Sequence, residues 1–415
     1  MTSSSALRTR LAELHQRTIE SPLFNPVFQL SLDLSRELEA GHLPLKDVTA
    51  LVAELECESL QSRASRLVHL LGPVDPEQNR QLLQSLADAP GTFDSFAKRW
   101  QHPLFHVVFT AHPTFLLTPA QSDAVALAAS SGNVSENTVC IADPTRPAIT
   151  LDFEHDEAMA ALGRAQAARD EINALLFEQA ARRWPDRWRE LRPMPFRFAS
   201  WVGYDMDGRT DISWSTSVRY RLKEKALRLA SYAGQLERID PGCAALATLR
   251  TAQAHTEEME ALFAQDLSDP ATLSAAANRL TADGPGRLVS LAPVIDQVED
   301  AAREADDARA RALLTLAAAM HCDGLGMAGI HFRVNSSQLH NAIRRRIDPE
   351  GRIDLASGTA LARIRELIDK AKPLQSNFAA LAIESTTAVR QFLAMAQILH
   401  HIDADAPIRM LIAES

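Results

Sequence analysis

Phe105-His-Val-Val-Phe109, followed directly by Thr110-Ala-His-Pro-Thr114, decides how this chain is read. The first five residues are β-branched or aromatic, the composition of a short buried strand. Pro113 cannot donate to a ladder, so the strand stops before it and His112 emerges at its end. An imidazole titrates near neutral pH, and on a rigid strand end it suits proton transfer or an anionic substrate. A structural histidine capping a turn would also satisfy this segment alone. What separates the two readings is whether other segments repeat the pattern.

Three do. Pro195-Phe-Arg-Phe-Ala-Ser-Trp-Val-Gly-Tyr-Asp-Met-Asp-Gly208 is a strand-like aromatic run, read as ending at Asp205 in a cluster of Gly203, Asp205, Asp207 and Gly208. Gly329-Ile-His-Phe-Arg-Val-Asn-Ser-Ser337 is a strand closing on Arg333 and a polar cluster, and Ile408-Arg-Met-Leu-Ile-Ala413 reads as a fourth buried strand. Helix formers fill the intervals: 158–183, 213–237, 239–265, 271–281, 287–322, 339–346, 358–371 and 384–401. Strands separated by long helical excursions, with polar residues at their carboxyl ends, are the pattern of a parallel α/β barrel. The expected fold is therefore mainly α with a parallel α/β barrel core, of which the chain holds about half, with large helical insertions. Residues 1–105 form an amino-terminal helical region and 106–415 the half barrel, with 119–150 loop-rich and 213–322 in long helices. In the first region Leu7, Leu11 and Leu14, then Phe28, Leu32 and Leu38, then Val48, Leu51, Leu55 and Leu60 mark three core stripes.

With 415 residues, 46% of them hydrophobic, a sizeable core is available. A formal net charge of −10 argues against nucleic acid or an anionic membrane as the main partner, so an anionic substrate needs a local basic pocket. Cys57, Cys140, Cys243 and Cys322 are far apart and lack a C-x-x-C spacing, which suggests neither a zinc site nor a disulfide framework and fits a reducing, cytoplasmic compartment. No signal-type core opens the chain, and no uncharged apolar run reaches the ~20 residues needed to span a bilayer.

His112 within Thr-Ala-His-Pro-Thr, then Phe-x-Ser-Trp-x-Gly-x-Asp-x-Asp-Gly, then Arg333 on an apolar strand two residues before Asn335-Ser336, occur in the order seen in phosphoenolpyruvate carboxylases. The chain resembles the amino-terminal half of that family. The resemblance implies carboxylation of phosphoenolpyruvate with bicarbonate to oxaloacetate and phosphate, through carboxyphosphate and the enolate of pyruvate. It implies His112 as the catalytic residue and Arg333 as a substrate ligand, whose guanidinium fork matches phosphate and carboxylate oxygens. Thr110, Thr114, Arg197, Asp205, Asp207 and Gly208 support them. It also implies magnesium or manganese, with ligands in a carboxyl-terminal half that this chain lacks, and a homo-oligomer. The chain is accordingly expected to be a fragment or one part of a split protein, inactive by itself.

Asp205 and Asp207 in D-x-D-G resemble part of a calcium loop, but a third ligand and a bidentate Glu are missing at the required spacing, so the carboxylates are expected to hold backbone amides and arginines such as Arg197 and Arg209. Departures from the family pattern are Phe115-Leu-Leu-Thr118 in place of a polar cluster, Met206 in place of an arginine, Arg209-Thr210 in place of Asn-Pro, and Val334-Asn335 in place of Gln-Glu. These remove charges that would orient neighbours. They favour one alternative, a non-catalytic homologue or helical scaffold; a third and weaker reading is an unrelated metal phosphohydrolase using His112, Asp205 and Asp207.

Overall fold

All four expected strands form, and they lie in one parallel sheet. In the computed structural model, which describes residues 3–110, 117–141, 148–352, 354–370 and 376–413, β1 (Phe105–Phe109), β2 (Phe196–Ser200), β3 (Gly329–Asn335) and β4 (Ile408–Ala413) are ordered β1-β2-β3-β4. Parallel neighbours cannot be joined by a tight turn, so every connection is a helical crossover and the protein is mainly helical. β2 stops at Ser200, short of the expected Asp205. There the Ser200 hydroxyl donates to the Phe109 carbonyl (3.1 Å) and accepts from the Val202 amide (3.2 Å), replacing the ladder.

Two compact units divide the chain, one of residues 1–81 with 112–148 and one of 82–111 with 149–415. The first contains α1 (Ser4–Glu20), α2 (Pro26–Glu39), α3 (Leu45–Leu71), α6 (Pro119–Ser131) and α7 (Glu136–Val139), while α4 (Pro76–Ala87) spans its boundary. Leu60 and Ala64 of α3 pack on Val125 and Ala128 of α6. Segment 119–150 is thus less loop-like than expected. Pro119 at the first helical position and a reciprocal capping box between Thr118 and Gln121 start α6 where the turn residues further on drew attention away. Two of the three expected stripes are buried only in part. Leu7, Leu14, Leu51 and Leu60 are buried, but α2 buries none of its residues and Phe28 is 63% exposed. The absence of a disulfide was also misread: Cys57 on α3 is bonded to Cys140 just after α7, with their Cα atoms 4.8 Å apart. Sequence distance hid the pair because folding, not spacing, brings α3 beside residue 140.

The second unit holds the sheet together with α5 (Phe93–Trp100), α8 (Leu151–Arg183), α9 (Trp214–Ile239), α10 (Ala245–Phe263), α11 (Pro270–Thr281), α12 (Ala292–Glu304), α13 (Asp307–Asp323), α14 (Ser336–Ile347), α15 (Gly358–Asp369), α16 (Phe378–Ile383) and α17 (Thr387–His401). The single helix expected over 287–322 is two. Ala305 is extended and Asp306 caps α13, its carboxylate accepting from the Arg309 amide. Successive residues of a strand face opposite ways. Ile330, Phe332 and Val334 of β3 are accordingly buried in a cluster with Val218 and Leu222 of α9 and Ile398 of α17, leaving His331, Arg333 and Asn335 on the other face. Among the described residues no helix is long and apolar enough to cross a membrane.

Charged side chains lock the helices behind the sheet. Asp323 at the end of α13 accepts from both nitrogens of Arg169 (2.5 and 2.9 Å), from Arg228 (2.5 Å) and from Gln166 (3.2 Å), and Gln166 also donates to the Met327 carbonyl just before β3 (2.6 Å). A second cluster joins Arg221 to Glu224 (2.7 Å) and Asp403 (2.5 Å), with Tyr204 donating to Glu224 (2.7 Å). These groups are almost wholly buried, so each carries its counter-ion inside.

Candidate functional site

The face of the sheet that turns away from these helices carries the polar residues. In the parallel register His106 lies beside Arg197, and His331 beside Arg409. Cα partners on adjacent strands share a face. The His106 and His331 rings stack at 5.2 Å between centroids with their Nε2 atoms 3.1 Å apart, so all four residues, and Arg333 and Asn335 further along β3, project to one side.

At the carboxyl end the turn after β2 meets β3. Gly203, at φ +87°, takes a left-handed conformation, and a Cβ there would fall 2.3 Å from the Tyr220 ring. This tight bend brings Asp205 back toward the strands. Asp205 is buried, accepts from the Gly208 amide (3.2 Å) and lies 3.6 Å from an Arg333 terminal nitrogen, whose side chain is 43% exposed. Gly208 is required by closeness, since a Cβ would come within 2.7 Å of the Asp205 carboxylate. Partial burial and the negative charge of Asp205 raise the Asp207 carboxyl above its usual range, against the opposing pull of Arg333 and the Asn335 amide. Motifs distant in sequence therefore converge on a guanidinium that is held from one side by a buried carboxylate and open on the other.

Several expected partners differ. Asp205 engages Arg333, not Arg197 or Arg209. Arg197 donates from Nε to the Met194 sulfur (3.2 Å), and Arg209 pairs with Glu154 and with Asp211 (2.7 Å). Met206 is buried in the apolar cluster with Tyr204, Ile212 and Trp214. Thr110 follows β1 directly, whereas His112, Thr114 and Phe115 lie outside the described residues. Among the described residues no group of three or more His, Cys, Asp or Glu could hold a metal ion. Asp205 and Asp207 do not make one, because the first is committed to Arg333 and Gly208.

Sequence reading passed over His106, His331 and Arg409. Their signal was present, since each strand has a basic residue directly after an apolar one near its start: Phe105-His106, Phe196-Arg197, Ile330-His331 and Ile408-Arg409. Burial lowers the pKa of both histidines. For His106 the charges of Arg409 and Arg197 add to this, and for His331 its partner ring and Arg409 do.

No protein-family model matches the chain, and no curated protein matches it.

Proposed function

We propose that the chain is the amino-terminal half of a phosphoenolpyruvate carboxylase-like enzyme, joining phosphoenolpyruvate and bicarbonate into oxaloacetate and phosphate. The observation that carries this reading is the meeting of Asp205 and Arg333 at the carboxyl ends of adjacent parallel strands, the face on which barrel enzymes build their chemistry. Two anions have to approach each other in this reaction, so cationic groups must offset their repulsion. Arg333 is suited to one of them. Its fork is oriented by Asp205 and exposed enough to grip phosphate or carboxylate oxygens bidentately. In this proposal His112 moves the proton or donates to the transferring group, with Thr110 and Thr114 in support. On this reading magnesium or manganese and the remaining cations are supplied by a carboxyl-terminal half, and the complete enzyme is a homo-oligomer.

Oxaloacetate formation from phosphoenolpyruvate and bicarbonate tests this, with the chain alone and with a separately produced carboxyl-terminal half. Removal of even one preorganised donor costs on the order of 10²-fold in rate, so the chain alone is expected to be silent. In the reconstituted enzyme His112→Asn lowers kcat, while Arg333→Lys also raises KM because a point charge cannot replace the fork. Reconstituted turnover indifferent to His112→Asn would refute the assignment. One observation favours a second reading, a non-catalytic homologue: Met206 occupies apolar core where the resembling family carries an arginine. Failure of every carboxyl-terminal half to restore turnover, with a folded complex formed, would select it.

A further inference from the structure

The basic residues near the start of the four strands make a second cluster, one tier before Arg333 along β3. We propose that His106, Arg197, His331 and Arg409 form a binding site for a small oxyanion, with phosphate or a phosphoryl group as its ligand class. This stands independently of the carboxylase reading.

The register places each histidine beside an arginine, and the ring contact joins the two pairs into one group on a single face. Four basic side chains are thereby gathered by backbone pairing, not by surface mobility. Among the described residues neither Arg197 nor Arg409 forms an ion pair with a carboxylate, although arginines elsewhere in the second unit, such as Arg169, Arg221 and Arg228, are matched inside the fold. Like charges assembled without a counter-ion cost free energy unless something anionic joins them. The donors also suit an oxyanion: two guanidinium forks offer bidentate hydrogen bonds, and in the imidazole pair, where one Nε2–H is spent on the other ring, the accepting ring carries an Nδ1–H donor. Burial is the main reason both histidines titrate below their ordinary range, and the neighbouring positive charges, Arg409 and Arg197 for His106 and Arg409 for His331, push in the same direction.

Carbon–proton spectra of the histidine rings, recorded on the full chain near neutral pH during titration with inorganic phosphate, test the site. Assignment comes from His106→Gln and His331→Gln. The resonances of both rings are expected to shift with saturation, and the midpoint to rise roughly tenfold or more in Arg197→Gln/Arg409→Gln, because charge-assisted hydrogen bonds are lost. Circular dichroism verifies that the variant folds. If the double variant unfolds, Arg409→Gln alone, at an exposed position on β4, gives the same reading with a smaller rise. Histidine signals unmoved up to about 50 mM phosphate, far above the concentration range of a specific site, would overturn the proposal. A midpoint unchanged in the arginine variants, or raised more by Arg333→Gln than by them, would also overturn it by placing the anion elsewhere.

Discussion

Replacing Asp323 by Asn removes one negative charge from the centre of the helix-to-sheet lock while keeping the shape of the side chain. In the native protein this carboxylate serves two guanidiniums, Arg169 and Arg228, all three being at most 2% exposed. Breaking a buried ion pair by removing one partner costs about 3–5 kcal/mol, because the surviving charge is left uncompensated. Arg169 retains Asp170 at 2.8 Å, so the uncompensated charge falls mainly on Arg228 and the lower end, about 3 kcal/mol, applies. Arg228 keeps as direct contacts the Gln166 amide oxygen at 3.1 Å and the Tyr232 ring at 4.2 Å, neither of which is an anion, and beyond them the attraction of Asp170, which Arg169 already engages. For a unit on the order of 300 residues, an unfolding entropy of roughly 2.1 cal/mol/K per residue converts this to a fall of about 5 °C in melting temperature. Calorimetric melting of the chain and of Asp323→Asn measures it. Amide exchange should speed up at β3, because Gln166 ties the same network to the Met327 carbonyl. A change below about 1 °C, smaller than the uncertainty of the transfer argument itself, would refute the claim that this charge holds the helices to the sheet.

Gly203→Ala should cost about 1–3 kcal/mol, since it combines a left-handed φ with a Cβ driven into Tyr220, and thermal denaturation would reveal it. Lys225 donates to the Leu288 and Ile402 carbonyls from a site whose burial lowers its pKa from 10.5 to about 8. The unfolded chain then binds more protons between those values, so stability rises with pH from about 8 toward 10.5 at roughly 1.4 kcal/mol per unit at most. Urea denaturation at successive pH values should show that rise in the native chain relative to Lys225→Met, and parallel curves for the two would contradict it. The Cys57–Cys140 bond closes a loop with a sequence separation of 83, worth up to about 4.5 kcal/mol in the chain-entropy model. Cys57→Ser/Cys140→Ser should therefore increase amide exchange in α3 and α6 while leaving α8 and α9 unchanged.

What the sequence disclosed follows from how local each signal is. The four strands were legible because a short β-branched or aromatic run bounded by turn or polar residues has few other uses, but the expected burial of β1 and β4 fails, since most residues of Phe105–Phe109 and Ile408–Ala413 are exposed. Helix breaks were harder. Ala305-Asp306 interrupts what composition presents as one helix, and only the cap at Asp306 marks the division. The stripe on α2 has the right periodicity but the described structure offers Phe28 no cover, because amphipathicity states that a helix has an apolar face and not what meets it. Pairings across long separations were illegible for the same reason: Cys57 with Cys140, Asp205 with Arg333 in preference to Arg197 or Arg209, and His106 with His331 all depend on tertiary approach.

The overall charge of −10 and the local chemistry of the sheet point in opposite directions, and the arrangement of buried ions explains how both hold. Behind the sheet Asp323, Glu224 and Asp403 are each matched by arginines, so that interior presents little net field to the strands. Carboxylates that face solvent are screened at physiological salt, which reduces their reach to about 8 Å. On the opposite face of the sheet Arg197, Arg333 and Arg409 project beside two histidines, against Asp205 and Asp207, whose carboxyls lie near Arg333. The amino-end tier is therefore positive even though the molecule is acidic. An anion approaching that face meets three guanidiniums, of which, among the described residues, only Arg333 lies beside a buried carboxylate, and that is the local condition that an acidic protein handling an anionic ligand has to satisfy.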